Sequence, residues 1–432
     1  MNKHRFVIFA AVCLFVTTAF PDLSNAQESI SDLGPATNNA QADLAPSSQE
    51  RTYSELVREL LENEEKINEL FSSMPIGFPL KQKAHLEQID LLKETNVKLT
   101  AQLDAAAYKA YELDPKNNVA AGRIVFKQIT RRLDPLGPDL HFDPRGALEI
   151  AYMMMQSGID DSTRGVVPFQ DIAYQAFRAS FAIEDFGRAD LMLKKIAEKG
   201  IRLRPEIAQN LAETREKWKR ELSIRVEDEK GDKLPQVTFE TTEGNFTVEL
   251  FENHAPQTVG NFVSLVESNF YNNMPFFLVQ PGKLVQTGCP IGNGSGDAGY
   301  RIPCECYQEN IRHHFTGTLS MANSGRDTGS SQFFITHNPN NQLNKWDGKY
   351  TAFGRVIEGM DVVLQLNTVD KSRPDPANLK PSKIIKAYVV KGTKREHEYS
   401  PSRIAESSEG QFGSSPDKSD LKTAQDSTGS GG

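Results

Sequence analysis

The sequence predicts a multidomain α + β protein, in which an all-α helical region precedes a closed β-barrel with two capping helices. Three observations lead to this prediction. Apolar residues recur at helical spacing over residues 51–222 and at alternating, strand-like spacing over 234–391. A charged linker at 223–233 separates the two patterns. The length of 432 residues leaves room for two or three domains.

Composition and charge exclude some classes of function. The chain is 38% hydrophobic and 25% charged, which is enough apolar content for folded domains. The net charge of −8 argues against nucleic-acid binding, which requires a basic surface. Beyond the N-terminus, no apolar run reaches the roughly 18 residues of a membrane span. We therefore expect no nucleic-acid partner and no membrane span after signal removal.

The first 26 residues predict a signal peptide. A basic start precedes the apolar stretch Phe6–Phe20, and the small residues Ser24 and Ala26 follow it where a cleavage site would lie. An uncleaved membrane anchor is the alternative, although an apolar core this short is more typical of a removable signal. We therefore expect an exported protein, either periplasmic or extracellular.

Two flanking segments are predicted to be disordered. The leader at 27–50 and the tail at 392–432 contain few large apolar residues, so they bury too little surface to offset chain entropy. Between the leader and residue 222, leucine and isoleucine recur at helical spacing, and a long helix is predicted over Gln82–Glu112. Pro115 follows this helix and disfavours helical geometry in the residue before it.

Parts of the helical region resemble tetratricopeptide repeats. Ala105–Pro115 is similar to the second helix and exit turn of such a repeat. Asp171–Gly200 predicts a further helix pair that turns at Glu184 and Asp185. Stacked pairs of this kind form surfaces that bind a protein partner. No regular repeat period emerges, however, so an irregular helical bundle is the alternative interpretation.

The C-terminal region predicts short strands with two helices. It opens with a hairpin, because Val237 and Phe239 alternate with polar residues, as do Phe246, Val248 and Leu250 after a turn at 243–245. Pro256 is well suited to the first turn of the following helix. The remaining predicted elements are strands at 317–321, 332–336, 351–357 and 384–390 and a helix at 359–366. Many short strands with two helices favour a closed barrel.

Four linked motifs in this region resemble the cyclophilins. They are Ala255–Phe262, similar to the family's first helix, Gly317–Gly325, similar to its central strand, Ser330–Ile335, which contains Ser-Gln-Phe-Phe-Ile, and Asp347–Gly354, similar to the loop and strand that follow. Their order and spacing agree with the family across the region. The resemblance implies a peptidyl-prolyl cis-trans isomerase that assists protein folding and takes proline-containing peptides or proteins as clients.

The chemistry of such an enzyme requires neither a nucleophile nor a cofactor. A peptide bond rotates over a barrier of about 18–20 kcal/mol that amide resonance sets, and catalysis means binding the twisted amide better than either planar form. The resemblance implies catalytic roles for Phe334 as the floor of the proline pocket, for Gln286 and Gln332 near the turning carbonyl, and for Asn323. It implies substrate-binding roles for Leu284, Ala322, Gly294, Trp346, Tyr350 and Lys283.

The sequence departs from the family at two of these positions. Leu278 occupies the position of the catalytic arginine, and Lys283 that of a pocket phenylalanine. Losing one preorganised donor costs about 2.7–4 kcal/mol, or roughly 10²–10³ in rate. Either the enzyme is slow, or the domain is a proline-peptide binding module with a helical partner-binding region. Lys283 either supplies the missing positive charge or points to water, as lysine usually does.

The cysteines leave two further questions open. Cys289, Cys304 and Cys306 remain after signal removal, and this odd number allows Cys289 to pair with either of the others or no disulfide to form. Cys304 and Cys306 lie close in sequence to His313 and His314, but their spacing is not that of a standard zinc module, so we predict no metal site.

Overall fold

The structure is a computed structural model, and it describes residues 51–75, 79–134, 142–158, 166–231, 234–338, 346–367, 369, 380–393 and 403–404. The predicted signal peptide, the predicted leader and most of the predicted tail lie outside the described residues. The chain forms two compact units, the first from residues 1–128 and 157–167 and the second from 129–156 and 168–432. Among the described helices, none is long and apolar enough to cross a membrane.

The first unit is built on two long helices, α1 (Tyr53–Ser72) and α2 (Pro79–Leu113), and contains the start of α3 (Val119–Leu133). The side chain of Thr52 caps α1 by accepting a hydrogen bond from the Glu55 amide, and the Glu55 carboxylate accepts one from the Thr52 amide. The long predicted helix is confirmed as α2, which starts three residues earlier and ends one residue later than predicted.

The helical part of the second unit contains α4 (Pro144–Gln156), α5 (Phe169–Ala182), α6 (Phe186–Glu198) and α7 (Pro205–Lys230). The predicted helix pair is confirmed as α5 and α6. The side chain of Asp185 caps α6 by accepting a hydrogen bond from the Arg188 amide at 2.9 Å. The fully buried alanines of this pair allow the two helices to approach closely. The tetratricopeptide resemblance stays a prediction.

The predicted linker at 223–233 is helical as far as Lys230, because α7 continues through it. One of its charged residues, Asp228, makes an ion pair with Arg312, which belongs to the strand-rich region, and the Arg312 side chain is fully buried. Glu227, Glu229 and Lys230 are exposed. The ion pair joins α7 to the strand-rich region within the second unit.

Eight antiparallel strands form one curled sheet in the order β3-β4-β6-β5-β7-β2-β1-β8. The β1–β2 hairpin is confirmed in register, with Val237 opposite Val248 and Phe239 opposite Phe246. The strands are β1 (Gln236–Thr241), β2 (Gly244–Leu250), β3 (Leu278–Gln280), β4 (Leu284–Thr287), β5 (Thr318–Met321), β6 (Phe333–Thr336), β7 (Thr351–Glu358) and β8 (Ile384–Val389).

The prediction of a closed barrel is wrong, because the sheet is a partly closed half-barrel. Its two edge strands are β3 and β8, which form no strand pair with each other in the described residues. β3 has only three residues. The segment before it is joined to the start of β8 by the isolated bridge between Pro275 and Lys383 and by the neighbouring backbone hydrogen bonds Phe276–Ser382 and Ile384–Met274.

Two helices cover the sheet, as predicted: α8 (Pro256–Glu267) and the short α9 (Met360–Leu364). The aromatic core lies between α8 and the strands. Phe262 of α8 contacts Phe333 edge to face at 5.3 Å and Phe353 at 5.1 Å, a favourable arrangement for aromatic pairs. This core holds β5, β6 and β7 in place, and β6 and its neighbours carry the predicted site residues.

A buried histidine at the end of β6 introduces a pH dependence. His337 is 1% exposed, and neither of its ring nitrogens has a hydrogen-bond partner among the described residues. Burial lowers the pKa of His337 to about 4. The nearby Val363 backbone acts in the opposite direction and raises the pKa of His337, although the imidazole and this backbone group do not form a hydrogen bond.

We expect His337 to destabilise the fold as the pH falls. The unfolded chain takes up this proton near pH 6.5 and the folded chain only near pH 4, so stability is lost between these values. The loss amounts to about 3 kcal/mol. Urea unfolding of the wild type and of His337→Leu at pH 7 and pH 4 measures it as a change in their stability difference. A stability difference between wild type and His337→Leu that is the same at both pH values would contradict the prediction.

Candidate active site

Strand pairing brings several predicted site residues to one face of the sheet. Gln286 of β4 lies directly opposite Phe334 of β6, and Leu284 lies opposite Thr336. Along β4 the burial alternates, with Val285 fully buried in the core and its neighbours half-buried. Because paired residues of an antiparallel sheet share a face, Leu284, Gln286 and Phe334 lie on the face away from the core.

Phe334 lies in a cluster of aromatic rings. It is 4% exposed and contacts Trp346 at 5.4 Å and Tyr350 at 5.4 Å. The imidazole of His314 stacks on its ring at 6.1 Å, with 7° between the planes. The structure therefore brings together three of the predicted residues and adds His314, which the sequence analysis considered only as a metal ligand.

The two predicted glutamines form one hydrogen-bonded chain with the glycine-rich loop. The Gln332 Nε2 donates to the carbonyls of Gly294 at 2.9 Å and Gly296 at 2.8 Å. Since carbonyls only accept, these contacts fix the Gln332 amide, and its Oε1 accepts a hydrogen bond from the Gln286 Nε2 at 3.1 Å. The structure thus places Gly294 next to the two glutamines, and its substrate-binding role stays a prediction.

A buried thiol shapes the same loop. The Cys289 Sγ accepts hydrogen bonds from the amides of Gly294 at 3.3 Å and Gly296 at 3.2 Å. Burial alone would raise the pKa of Cys289, but these backbone donors outweigh it and lower the pKa. Gly294 has a φ of 92°, and a Cβ there would lie 3.1 Å from the Phe277 ring, so the loop requires glycine. Cys289, Cys304 and Cys306 are all free thiols in the structure.

Ala322 and Asn323 follow β5 and border an exposed loop. The Ala322 amide donates to the Gln332 carbonyl at 2.9 Å. The Asn323 Nδ2 donates to the carbonyl of Lys349 at 2.9 Å, and its Oδ1 accepts from the Gly325 amide at 3.2 Å. Both residues therefore lie beside the glutamines and the aromatic cluster, on a segment whose shape the Asn323 side chain holds.

Leu278 lies directly opposite Gln286, since β3 pairs with β4 in that register. It is half-buried, and its side chain offers no hydrogen-bond donor. Lys283 lies in the turn between β3 and β4, three residues from Gln286. At about 3.4 Å per strand residue, it is about 10 Å from Gln286 along the chain. Because Leu278 is paired with Gln286, Lys283 lies at a similar distance from Leu278 along the strand.

A second network lies behind the aromatic cluster. The Asp347 Oδ1 accepts from the His314 Nδ1 at 2.8 Å, and its Oδ2 accepts from the His313 Nδ1 at 2.8 Å and from the Lys217 Nζ at 2.9 Å. Burial alone would raise the pKa of Asp347, but hydrogen bonds from His313 and His314 outweigh it and hold that pKa well below its usual range. The other ring nitrogen of His314, Nε2, lies 2.9 Å from the Ser320 hydroxyl.

Sequence reasoning missed this network. The sequence identifies Asp347 only as the first residue of the motif Asp347–Gly354, and the two adjacent histidines only as candidate zinc ligands. The signal that was present is the His313-His314 pair itself, because neighbouring histidines beside a buried strand need polar partners. Nothing in the sequence indicated that Lys217 is one of them.

Comparisons with known proteins place this site in a family. Residues 236–389 match the family model described as cyclophilin type peptidyl-prolyl cis-trans isomerase/CLD. A peptidyl-prolyl cis-trans isomerase of Synechococcus elongatus is 45% identical over 140 residues, which cover 32% of this chain and 92% of that protein. A peptidyl-prolyl cis-trans isomerase of Helicobacter pylori is 41% identical over 150 residues, covering 34% of this chain and 90% of its own length.

Relatives outside the bacteria are similar as well. The peptidyl-prolyl cis-trans isomerase-like 1 protein of Emericella nidulans is 44% identical over 164 residues, covering 37% of this chain and 98% of that protein. A solved Cryptosporidium parvum cyclophilin is 31% identical, covers 36% of this chain and 97% of its own, and has a TM-score of 0.32. With bacterial and fungal relatives matched over nearly their whole length, the chain belongs to the cyclophilin-type peptidyl-prolyl cis-trans isomerases.

Proposed function

We propose that this chain isomerises peptidyl-prolyl bonds of exported proteins at the pocket formed around Phe334. One observation carries the proposal: the aromatic cluster of Phe334, Trp346 and Tyr350 adjoins the hydrogen-bonded pair Gln286 and Gln332 on one face of the sheet. An apolar ring site next to fixed amide groups is what recognition of a proline and its preceding carbonyl requires.

The reaction follows from these groups alone. Rotation about the prolyl bond breaks amide resonance, so the carbonyl oxygen and the nitrogen change in charge while no bond is exchanged. The aromatic cluster holds the pyrrolidine ring, and the Gln286 amide, fixed by Gln332, presents a polar group beside the turning carbonyl. Leu284 and Ala322 border the same face, and Asn323 holds the adjoining segment in shape. Binding the twisted amide preferentially lowers the barrier.

The rate is part of the proposal. Leu278 lies opposite Gln286, where the family's arginine would act on the prolyl nitrogen, and leucine has no donor for that nitrogen. We therefore propose an enzyme that is slower than arginine-containing relatives by roughly 10²–10³. The same observation favours a second candidate function, a groove that binds proline-containing segments and turns them over very slowly.

The site of action and the helical region belong to the proposal as well. The basic start, the apolar stretch and the small residues within 1–26 support export to the periplasm or the extracellular space. The packing of α4 against α5 and of α5 against α6 supports a surface for a protein partner.

Phe334→Ala tests the proposed pocket. We expect kcat/KM for an Ala-Pro peptide to fall at least about tenfold, because the proline ring loses its floor and its orientation. The measurement is a protease-coupled isomerisation assay on the full chain, performed well below the melting temperature of the variant. Tyr388→Ala, an aromatic truncation at a 38% exposed position on β8, is the matched control and should retain activity.

The same assay separates the two candidate functions. The enzyme is supported if the wild type accelerates isomerisation above the uncatalysed rate and Phe334→Ala abolishes this enhancement. Binding of the peptide by titration calorimetry without any rate enhancement supports the binding module. A folded wild-type chain that neither binds the peptide nor accelerates its isomerisation would contradict both candidate functions.

A further inference from the structure

One face of α7 contacts the segment 312–315 of the strand-rich region. Trp218, Glu221, Arg225 and Asp228 recur at intervals of three or four residues, and Lys217 lies four residues before Glu221, which places all five on one side of the helix. Three of them contact residues 312–315, the segment between the cysteine-containing loop and β5.

Two strong contacts fix this segment from outside. Arg312, which is fully buried, donates to the carboxylates of Glu221 at 2.7 Å and Asp228 at 2.8 Å. Phe315 packs edge to face on the ring of Trp218 at 4.7 Å. Residues on both sides of the two histidines are thereby held by the helix.

The same segment faces the pocket on its inner side. His314, between Arg312 and Phe315, is fully buried and stacks on Phe334. Its amide and its Nδ1 both contact the Asp347 Oδ1, at 3.0 Å and 2.8 Å. The Lys217 ammonium binds the second oxygen of Asp347. One continuous series of contacts therefore runs from α7 to the pocket ring.

We propose that Lys217 and Asp347 are positioning residues for the proline pocket: Lys217 of α7 orients the Asp347 carboxylate, which fixes the tautomer and plane of His314 against Phe334. This inference rests on the proposed function. It assigns the helical region a role in the reaction itself, because one of its lysines supports the ring that receives the proline.

The physical basis is the carboxylate's limited set of partners. A carboxylate only accepts hydrogen bonds, so Asp347 requires the proton of His314 to lie on Nδ1 and leaves Nε2 toward the Ser320 hydroxyl. Ser320 lies opposite Phe334 in the β5–β6 pairing. Without Lys217, the carboxylate keeps both histidines but loses the cation that binds its Oδ2, so we expect the stacked imidazole to gain freedom to tilt.

Lys217→Met keeps most of the apolar stem and removes the charge. We expect kcat for an Ala-Pro peptide to fall by about threefold to tenfold, since small displacements of a reacting geometry cost about this much or more. Asp347→Asn should lower it further, and the double variant should be no worse than Asp347→Asn alone, because both substitutions act through one contact. Lys217→Arg should restore part of the loss.

The matched control is Lys219→Met, two residues along the same helix. Lys219 is 66% exposed and pairs only with Glu216 on the helix surface in the contacts described for it. Its removal should leave both kcat and KM unchanged. A loss of activity in Lys219→Met equal to that in Lys217→Met would overturn the inference, because it would reflect a general weakening of α7.

A spectroscopic readout keeps the test independent of catalysis. The chain has two tryptophans, Trp218 and Trp346, and Trp346 contacts both His314 and Phe334. Labelling with 5-fluorotryptophan gives two ¹⁹F resonances, which Trp218→Phe assigns. We expect the Trp346 resonance to shift or broaden in Lys217→Met and in Asp347→Asn and to stay in place in Lys219→Met.

The outcomes separate this inference from the proposed function. An inactive wild type whose Trp346 resonance still responds to Lys217→Met would refute the isomerase and leave the positioning role intact. An active wild type in which Lys217→Met and Asp347→Asn change neither kcat nor the Trp346 resonance would refute the positioning role alone.

Discussion

Replacing Leu278 by arginine is expected to raise kcat/KM for an Ala-Pro peptide by roughly 10²–10³. Leu278 is half-buried on the face that carries the pocket and lies opposite Gln286. A guanidinium there places planar, fixed donors near the nitrogen of a proline bound over Phe334 and stabilises the twisted amide. The protease-coupled assay on the full chain measures the gain, and peptide titration checks that binding itself changes little.

Two control variants make the result specific. Leu278→Lys adds the same charge without the rigid fork of donors, so it should gain much less than arginine. Ile385→Arg adds arginine at a 51% exposed position of β8 and should change nothing. An inactive Leu278→Arg variant that still binds the peptide would show that the groove lacks more than this donor.

Lys283→Ala in the native Leu278 background addresses the remaining alternative. If the Lys283 ammonium supplies the missing charge, this variant loses the residual activity. Unchanged activity would exclude that role, in agreement with the separation of about 10 Å that the β3–β4 register gives along the strand.

The largest expected effect on stability comes from Arg312. Its guanidinium is fully buried, makes ion pairs with Glu221 and Asp228, and lies 3.7 Å from the centre of the Phe251 ring. Burial would raise the pKa of Glu221, but the hydrogen bond and charge of Arg312 outweigh it and lower that pKa. Arg312→Met leaves two enclosed carboxylates without this cation, and we expect a loss of about 3–5 kcal/mol.

Urea unfolding of the full chain, followed by tryptophan fluorescence, measures this loss, since Trp218 lies on the same face of α7. Arg326→Met is the control, because Arg326 is 73% exposed and its ion pair with Asp327 spans 3.5 Å; it should change stability by less than about 1 kcal/mol. Replacing Glu221 and Asp228 by leucine together with Arg312→Met should recover part of the stability. A loss below about 1 kcal/mol for Arg312→Met alone would contradict the buried network.

Several features of the fold follow from short-range sequence patterns. The alternation around Phe239 and Phe246 predicted the β1–β2 hairpin in its observed pairing. The start of α8 at Pro256 and the turn at Glu184 were likewise predicted, because helix and turn signals relate residues only a few positions apart. That Gln286 and Phe334 lie on one face depends instead on the pairing of β4 with β6, which relates residues far apart in the sequence.

The sequence by itself determined the family, the helical and strand-rich parts, and the residues around Phe334, because each depends on local pattern or on a motif. Only the tertiary structure showed that the barrel is half open, that α7 continues through most of the predicted linker, and that Lys217 and Asp347 lie behind the pocket. Lys217 and Asp347 lie 130 residues apart in the sequence, and Glu221 and Arg312 lie 91 residues apart. A charged residue on a helix looks the same in sequence whether water or a buried partner neutralises it, and only the folded chain brings that partner within hydrogen-bond distance.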